Sequence, residues 1–266
     1  MGLTLTTPPG AEPISLTETK AHLRIDHTTD DVLLGTLISA ARDYVELRTE
    51  RQIVAATYQY TLDQFPAEIK LPKSPLISVS SVQYVDSAGT TQTVAAAVYD
   101  VDDNSEPAVI REAYGQTWPT PRMTPNCVLV NFVVGYGAPF AAAAGSDVCT
   151  ISGRTVADAD IIRISTTDND LPLPLAALTD YHVRDSTGAT CKLAAAAGGA
   201  AIDIIDAGTG THFIGAIPHG LRAAMKMIVG LWYENREAYI DARPLVEVPM
   251  AVNSLLWGFS MPEARG

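Results

Sequence analysis

Apolar side chains near the N-terminus follow the spacing of helices. A short helix is predicted over residues 17–25, where Thr17 and Glu18 carry helix-start signals. A longer helix is predicted after Thr29, Asp30 and Asp31, whose carboxylates lie at the positive end of its dipole. Its apolar residues recur at intervals of three and four, which predicts one buried stripe: Leu34, Leu37, Ile38, Ala41 and Val45.

The other side of this second helix is charged. Arg42, Glu46 and Glu50 follow one another at spacing four, where oppositely charged side chains can meet on a helix surface. We interpret them as a solvated face.

From Ile53 onward the apolar pattern changes from the helical period to alternation. Alternating runs lie within residues 55–137, with prolines between them and a turn at residues 87–89. Because a proline between strands removes no ladder donor, this pattern predicts an antiparallel β region.

A second β region and a third helix follow. Between residues 138 and 216, short alternating runs are separated by Gly, Asp and Asn turns, which indicates a small all-β unit inserted into the chain. After Pro218 the helical spacing returns, with one apolar stripe: Leu221, Ala224, Met225, Ile228 and Trp232. The predicted fold is α+β, with three main helices in one layer, an antiparallel β region and an inserted small all-β domain.

The composition of the chain excludes several classes of protein. The 266 residues carry a net charge of −12, which excludes a broad surface for coating nucleic acids. Hydrophobic residues make up 47% of the chain, so a disordered chain is excluded. Three cysteines are too few for a disulfide framework, and we expect them to be buried and reduced. No secretory signal is recognisable and no apolar run is long enough to span a membrane, so we expect folding in a reducing cytoplasm.

The candidate chemical motifs are incomplete. The run from Asp100 to Asn104 begins like a calcium loop, but Ser105 replaces the required glycine and Arg111 replaces the closing glutamate. We therefore interpret it as a solvated hairpin end. The glycines of residues 208–215 lack the lysine and hydroxyl residue of a phosphate loop. We predict no enzyme, no catalytic residues, no metal site and no cofactor.

The C-terminal segment, residues 244–266, is too short to form its own core and yet rich in apolar residues. We expect it either to pack on its own domain or to anchor a neighbouring subunit or partner. The anchor candidates are Leu255, Leu256, Trp257 and Phe259.

A series of short motifs resembles the head-tail connector (adaptor, head-completion) proteins of tailed double-stranded DNA phages and gene transfer agents. The resemblance spans most of residues 14–240. Its motifs occur in the family's order: Asp30-Asp31, Ala40-Ala41-Arg42, Leu71-Pro72 with Pro75-Leu76, Tyr84 with Gly89, Trp118-Pro119, Gly135-Tyr136-Gly137 and Glu234-Asn235-Arg236-Glu237.

The resemblance implies a structural role in the virion neck, for particles assembled in the bacterial cytoplasm. Such proteins form rings, commonly of twelve copies, beneath the portal protein. They extend the channel for double-stranded DNA, without sequence-specific binding, and offer a docking surface to stopper, neck or tail-completion proteins. No membrane contact is implied. The segment from Pro244 to Phe259 is then the candidate grip on the portal or the adjacent subunit, through Pro244, Leu255, Leu256, Trp257 and Phe259.

The inserted β unit departs from the family pattern, in which a short loop leads from the Gly-Tyr-Gly strand to the last helix. Its sequence looks like a β module of assorted phage structural and tail proteins. An alternative function follows, that of a tail-associated or decoration protein whose insert binds a host surface or glycan. The predicted domains are an adaptor core (residues 1–137 with 217–243), the β insert (138–216) and a C-terminal docking arm (244–266).

Overall fold

The structure is a computed structural model that describes residues 1–10, 12–152, 155–166, 170–177, 179–210, 212–215, 217–235, 239–240, 243–244 and 250–261. Within these residues it combines helices, antiparallel sheets and a closed β barrel, which confirms the predicted α+β class. Parts of three predicted features lie outside the described residues. They are positions 153–154, 167–169, 178, 211 and 216 of the β insert, positions 236 and 237 of the Glu-Asn-Arg-Glu motif, and positions 245–249 and 262–266 of the arm.

The helices pack together as one layer. They are α1 (Leu16–Leu23), α2 (Asp31–Thr49), α3 (His219–Glu234) and α4 (Met250–Trp257). Helix α1 begins earlier than predicted, because the Ser15 hydroxyl accepts a hydrogen bond from the Glu18 amide. Both predicted stripes are confirmed where α2 meets α3, with these residues buried: Leu34, Ile38, Ala41, Val45, Leu221, Ala224, Met225 and Ile228.

The β region that follows α2 divides into two sheets. The larger has the antiparallel order β1-β2-β8-β4-β5: β1 (Gly2–Thr7), β2 (Ala56–Leu62), β4 (Leu76–Val85), β5 (Thr91–Thr93) and β8 (Val128–Val134). The smaller sheet has the order β3-β7-β6, with β3 (Glu68–Lys70), β6 (Tyr99–Asp102) and β7 (Val109–Glu112). A 3-10 turn at Ala96–Val98 comes directly before β6. One core joins the two sheets, centred on Val82, Ile110 and Phe132.

The loop between β6 and β7 is a hairpin end, as predicted. The carboxylate of Asp102 accepts hydrogen bonds from the amides of Asn104 and Ser105 and from the Ser105 hydroxyl. The Asp102 carboxylate therefore stabilises the turn of the hairpin through these hydrogen bonds.

The inserted unit is a closed six-stranded barrel with its own core. Its strands are β9 (Ala138–Ala143), β10 (Val148–Ile151), β11 (Ile161–Thr166), β12 (Tyr181–Arg184), β13 (Thr190–Ala194) and β14 (His212–Gly215), hydrogen-bonded in the order β10-β13-β12-β11-β14-β9. Cys149 and Cys191 face each other across β10 and β13, and these two and Cys127 are buried free thiols.

A short hairpin follows α3, with β15 (Tyr239–Ile240) paired to β16 (Arg243–Pro244). None of the helices in the described part of the chain is long and apolar enough to cross a bilayer.

The prediction of a solvated face on α2 is wrong for Glu46, which is only 8% exposed. Helix α2 ends where Glu50 adopts a left-handed φ of 57°, and the chain then turns back along the helix. As a result, one Glu46 oxygen accepts hydrogen bonds from the Gln52 side chain (2.7 Å) and the Ile53 amide (2.9 Å). Arg42 is half-buried and pairs with Glu12 at 2.8 Å, while Glu50 is exposed.

Burial raises the pKa of Glu46 to about 7, because desolvation of the carboxylate outweighs the Ile53 amide and the nearby charge of Arg42. The native state therefore keeps a proton that the unfolded chain releases above its ordinary pKa of 4.5. Stability falls as the pH rises between these two values, by up to about 3 kcal/mol.

Glu46→Gln tests this dependence, because the amide keeps an acceptor for the Ile53 amide and cannot ionise. We expect the loss of unfolding free energy between about pH 5 and pH 8 to shrink by about 2 kcal/mol in this variant. Urea unfolding at both pH values measures it. Glu50→Gln, an exposed change on the same helix, is the control and should leave the pH dependence unaltered. Equal pH dependence in Glu46→Gln and the unchanged protein would contradict the assignment.

Candidate interaction surfaces

The barrel and the helical layer are joined through one carboxylate, that of Glu18 on α1. Its Oε1 accepts hydrogen bonds from Arg222 (2.6 Å) and Lys226 (3.0 Å) of α3. Its Oε2 lies 3.3 Å from the guanidinium of Arg163, on barrel strand β11. Arg163 also contacts Asp180 of the barrel at 2.5 Å. Glu18 therefore ties together three elements that are far apart in the sequence.

The electrostatics of this joint favour an ionised carboxylate. Burial by itself raises the pKa of Glu18, but the hydrogen bond from Lys226 and the charges of Arg222 and Arg163 outweigh it and lower that pKa. The side chains of Glu18 and Arg222 are 19% and 14% exposed, so solvent screens these ion pairs only partly.

Arg51, which is paired with Glu106, also holds the C-terminal segment on the body of the protein. The guanidinium of Arg51 binds both carboxylate oxygens of Glu106 and donates its Nε–H to the carbonyl of Phe259. The amide of Met261 donates to the carbonyl of Thr49 at 3.2 Å. The hydrogen bond to Glu106 raises the pKa of Arg51, so this cation stays charged.

The predicted anchor residues fall into two groups. Leu256 is buried in the helical core and Phe259 packs against it, close to Gly220 of α3. By contrast, Leu255 is 36% exposed and Trp257 is 60% exposed. Pro244 lies in the β15–β16 hairpin, opposite Tyr239. The segment thus packs on its own domain through one side of α4, and the other side remains accessible.

Other exposed apolar side chains were not singled out by the sequence patterns. Val32 and Leu47 lie near the two ends of α2, outside its buried stripe, and Leu173 and Ile205 lie on the barrel. The sequence could have identified Val32 and Leu47 as exposed, because both lie outside the amphipathic stripe of α2. The barrel pair comes together only because β11–β14 close a barrel.

Metal ions in proteins require groups of ligating side chains. Among the described residues, no three His, Cys, Asp or Glu side chains are grouped so that they could hold a metal ion.

Residues 13–101 match the profile of a protein family described as the phage gp6-like head-tail connector proteins. No curated protein sequence matches the chain. The match covers α1, α2 and the first strands of the β region, and it confirms the resemblance that the ordered motifs indicate. Residues 13–101 are therefore similar to the phage head-tail connector family.

Solved structures share the fold over 98% of the chain and 96% of their own chains. One is from the virion of a native gene transfer agent particle, at 18% identity and a TM-score of 0.59. Two others are from the necks of gene transfer agent particles. The neck of an empty particle, computed with C6 symmetry, matches at 17% identity and a TM-score of 0.58. The neck of a native particle, computed with C12 symmetry, matches at 18% identity and a TM-score of 0.55. This coverage includes the barrel, so the insert is part of the shared fold.

Glu18→Gln is predicted to loosen the joint between the barrel and α3, because three cations lose a shared carboxylate. We expect a loss of about 2 kcal/mol of unfolding free energy in urea titration. Glu68→Gln is the matched control, since it breaks an exposed 3.4 Å pair with Arg111 and should cost less than about 0.5 kcal/mol. Equal losses of unfolding free energy in the two variants would show that the Glu18 joint stabilises the fold no more than an exposed ion pair does.

Arg51→Lys is predicted to release the C-terminal segment. An ammonium group cannot bind both carboxylate oxygens of Glu106 and also donate to the carbonyl of Phe259. We expect backbone amides of α4 to exchange with solvent about tenfold faster or more. Hydrogen exchange followed by mass spectrometry measures this, with Arg111→Lys as the control at an exposed ion pair. Unchanged exchange in α4 would refute the role of Arg51.

Proposed function

We propose that this protein is a structural subunit of the virion neck, which forms a ring under the portal and extends the DNA channel. The match of residues 13–101 to the connector family carries this proposal. The fold shared with chains of gene transfer agent necks supports it. The ring has twelve copies, a number that fits the C12 symmetry of one of those necks.

The proposed role is mechanical rather than catalytic. A ring needs a heterologous interface, in which two different surfaces of each subunit meet. The ion pairs at Glu18 and Arg51 hold the barrel and α4 on the helical layer, so each subunit presents its surfaces in fixed positions. An acidic chain is also suited to a channel, because repulsion of phosphates lets the DNA slide without sticking.

The domain division follows from the chain path. We propose an adaptor core of residues 1–137 with 217–243, an inserted barrel of residues 138–216 and a docking arm of residues 244–266. The closed ladder and separate core of the barrel support the division. Helix α3 follows the barrel in the sequence but packs on α2, which precedes it. This packing supports an adaptor core made of two separate stretches of the chain.

The outer side of α4 is the proposed docking surface of the arm. Leu255 and Trp257 are accessible there, while Leu256 and Phe259 hold the helix on its own subunit. We propose that this side contacts the portal, with the adjacent subunit as the alternative partner. The remaining surface of the ring would receive the stopper or neck protein.

Electron cryomicroscopy of the protein co-expressed with its portal tests the proposed function. We expect a symmetric collar of density below the portal into which this chain can be built. A bare portal, together with the protein at the tail tip or capsid surface of whole particles, would overturn the proposal. That outcome would favour the alternative in which the barrel binds a host surface or glycan.

Trp257→Ala tests the docking surface of α4. We expect binding to the portal to weaken about tenfold or more, because buried Trp residues are frequent hot spots of interfaces. Co-sedimentation of the protein with portal particles measures the binding. Tyr114→Ala removes another exposed aromatic side chain, outside the arm, and should not change it. Equal binding by both variants would exclude Trp257 as an anchor.

A further inference from the structure

A shallow groove lies beside the C-terminal end of α2. We call it the α2 groove. Leu47 stands in it and is 79% exposed, next to apolar walls from Pro72, Pro107 and Met261. The fold of its own subunit thus leaves most of this apolar side chain in water.

The α2 groove is also basic, in a chain whose net charge is −12. Lys70 and Lys73 line it, and Arg48 lines the depression that adjoins it at Leu47. Glu50 contributes a negative charge at the same place, so cations prevail three to one among these lining side chains. The groove therefore fits an apolar surface with carboxylates around it.

The barrel carries a surface of that kind, which we call the barrel knob. Leu173 and Ile205 are 51% and 69% exposed and adjacent, because the Ile205 amide donates to the Leu173 carbonyl at 2.9 Å. The Leu173 amide in turn donates to the carboxylate of Asp206 at 2.9 Å, which fixes the loop. Asp203 is exposed beside them. The knob is thus preformed, apolar and acidic.

We propose that the barrel knob of one copy of this chain docks into the α2 groove of the next copy in the ring. This inference rests on the proposed function, and it names the two surfaces of the subunit interface. Copies of a chain with a charge of −12 repel one another, so they associate best where a basic surface meets an acidic one. Knob and groove are different surfaces of one chain, as a closed ring requires.

A second copy is the occupant that uses both surfaces at once. In a ring, every subunit offers one knob and one groove, and each is covered by a neighbour. A different partner protein at the groove would leave the knob of each subunit exposed to water.

Pairwise cysteine cross-linking tests the contact. The natural thiols at positions 127, 149 and 191 are buried, so new surface cysteines react selectively. Leu47→Cys and Ile205→Cys chains are co-expressed with the portal, and the collars are purified and oxidised. We expect a covalent dimer that contains one chain of each kind. The control pairs Leu47→Cys with Tyr114→Cys, at an exposed residue outside the knob, and should give none.

The outcomes separate this inference from the proposed function. A collar without the Leu47–Ile205 cross-link overturns the knob-and-groove contact and leaves the neck role standing. Absence of a collar from the unmodified protein overturns the neck role and the contact with it.

Charge reversal provides a second, independent measurement. Lys70→Glu is expected to lower the amount of protein in collars about tenfold, and Asp203→Lys in the same chain is expected to restore it. Lys70→Glu combined with Asp26→Lys, a reversal of an exposed acidic residue outside the knob, is the matched control and should not restore it. Thermal unfolding of each variant checks that the monomer remains folded. Failure of Asp203→Lys to restore assembly, with folded variants, would overturn the proposal.

Discussion

Glu18 lies where α1, α3 and the barrel meet, and its carboxylate is shared by Arg163, Arg222 and Lys226. After β8 the chain builds a barrel with a separate core and then returns to the helical layer as α3. The two cores are separate, and the charged contact at Glu18 links the barrel to α1 and α3. The proposed interface depends on this contact, since it positions the barrel knob relative to the α2 groove of the same subunit.

Two carboxylates of the helical layer, the half-buried Glu18 and the buried Glu46, respond oppositely to pH, although both belong to helices packed in one core. Three cations lower the pKa of Glu18, so its contribution to stability is lost as the pH falls. Desolvation dominates at Glu46 and raises its pKa to about 7, so stability is lost as the pH rises. The difference follows from the number of cations within reach of each group.

The C-terminal arm packs on its own domain, which is one of the two alternatives that its sequence left open, and the contact with a partner stays a proposal. Leu256 and Phe259 pack into the helical layer, and Arg51 holds the carbonyl of Phe259, so the arm belongs to its own subunit. Leu255 and Trp257 remain accessible on the other side of the same helix. A short helix held in this way offers a partner an apolar surface without first having to be ordered, which lowers the entropic cost of docking.

Hydrophobic periodicity by itself determined the buried stripes of α2 and α3, the alternating strands and the inserted β unit, because each pattern reflects local geometry. The ordered motifs predicted a resemblance to the connector family, whose profile residues 13–101 match. Strand β1 was not predicted, since Leu3 and Leu5 stay partly exposed and only pairing with β2 holds it. The split into two sheets, the burial of Glu46 and the accessible side of α4 were decided by the tertiary structure. Each depends on which distant segment packs against a residue, and such contacts leave no periodic trace in the sequence.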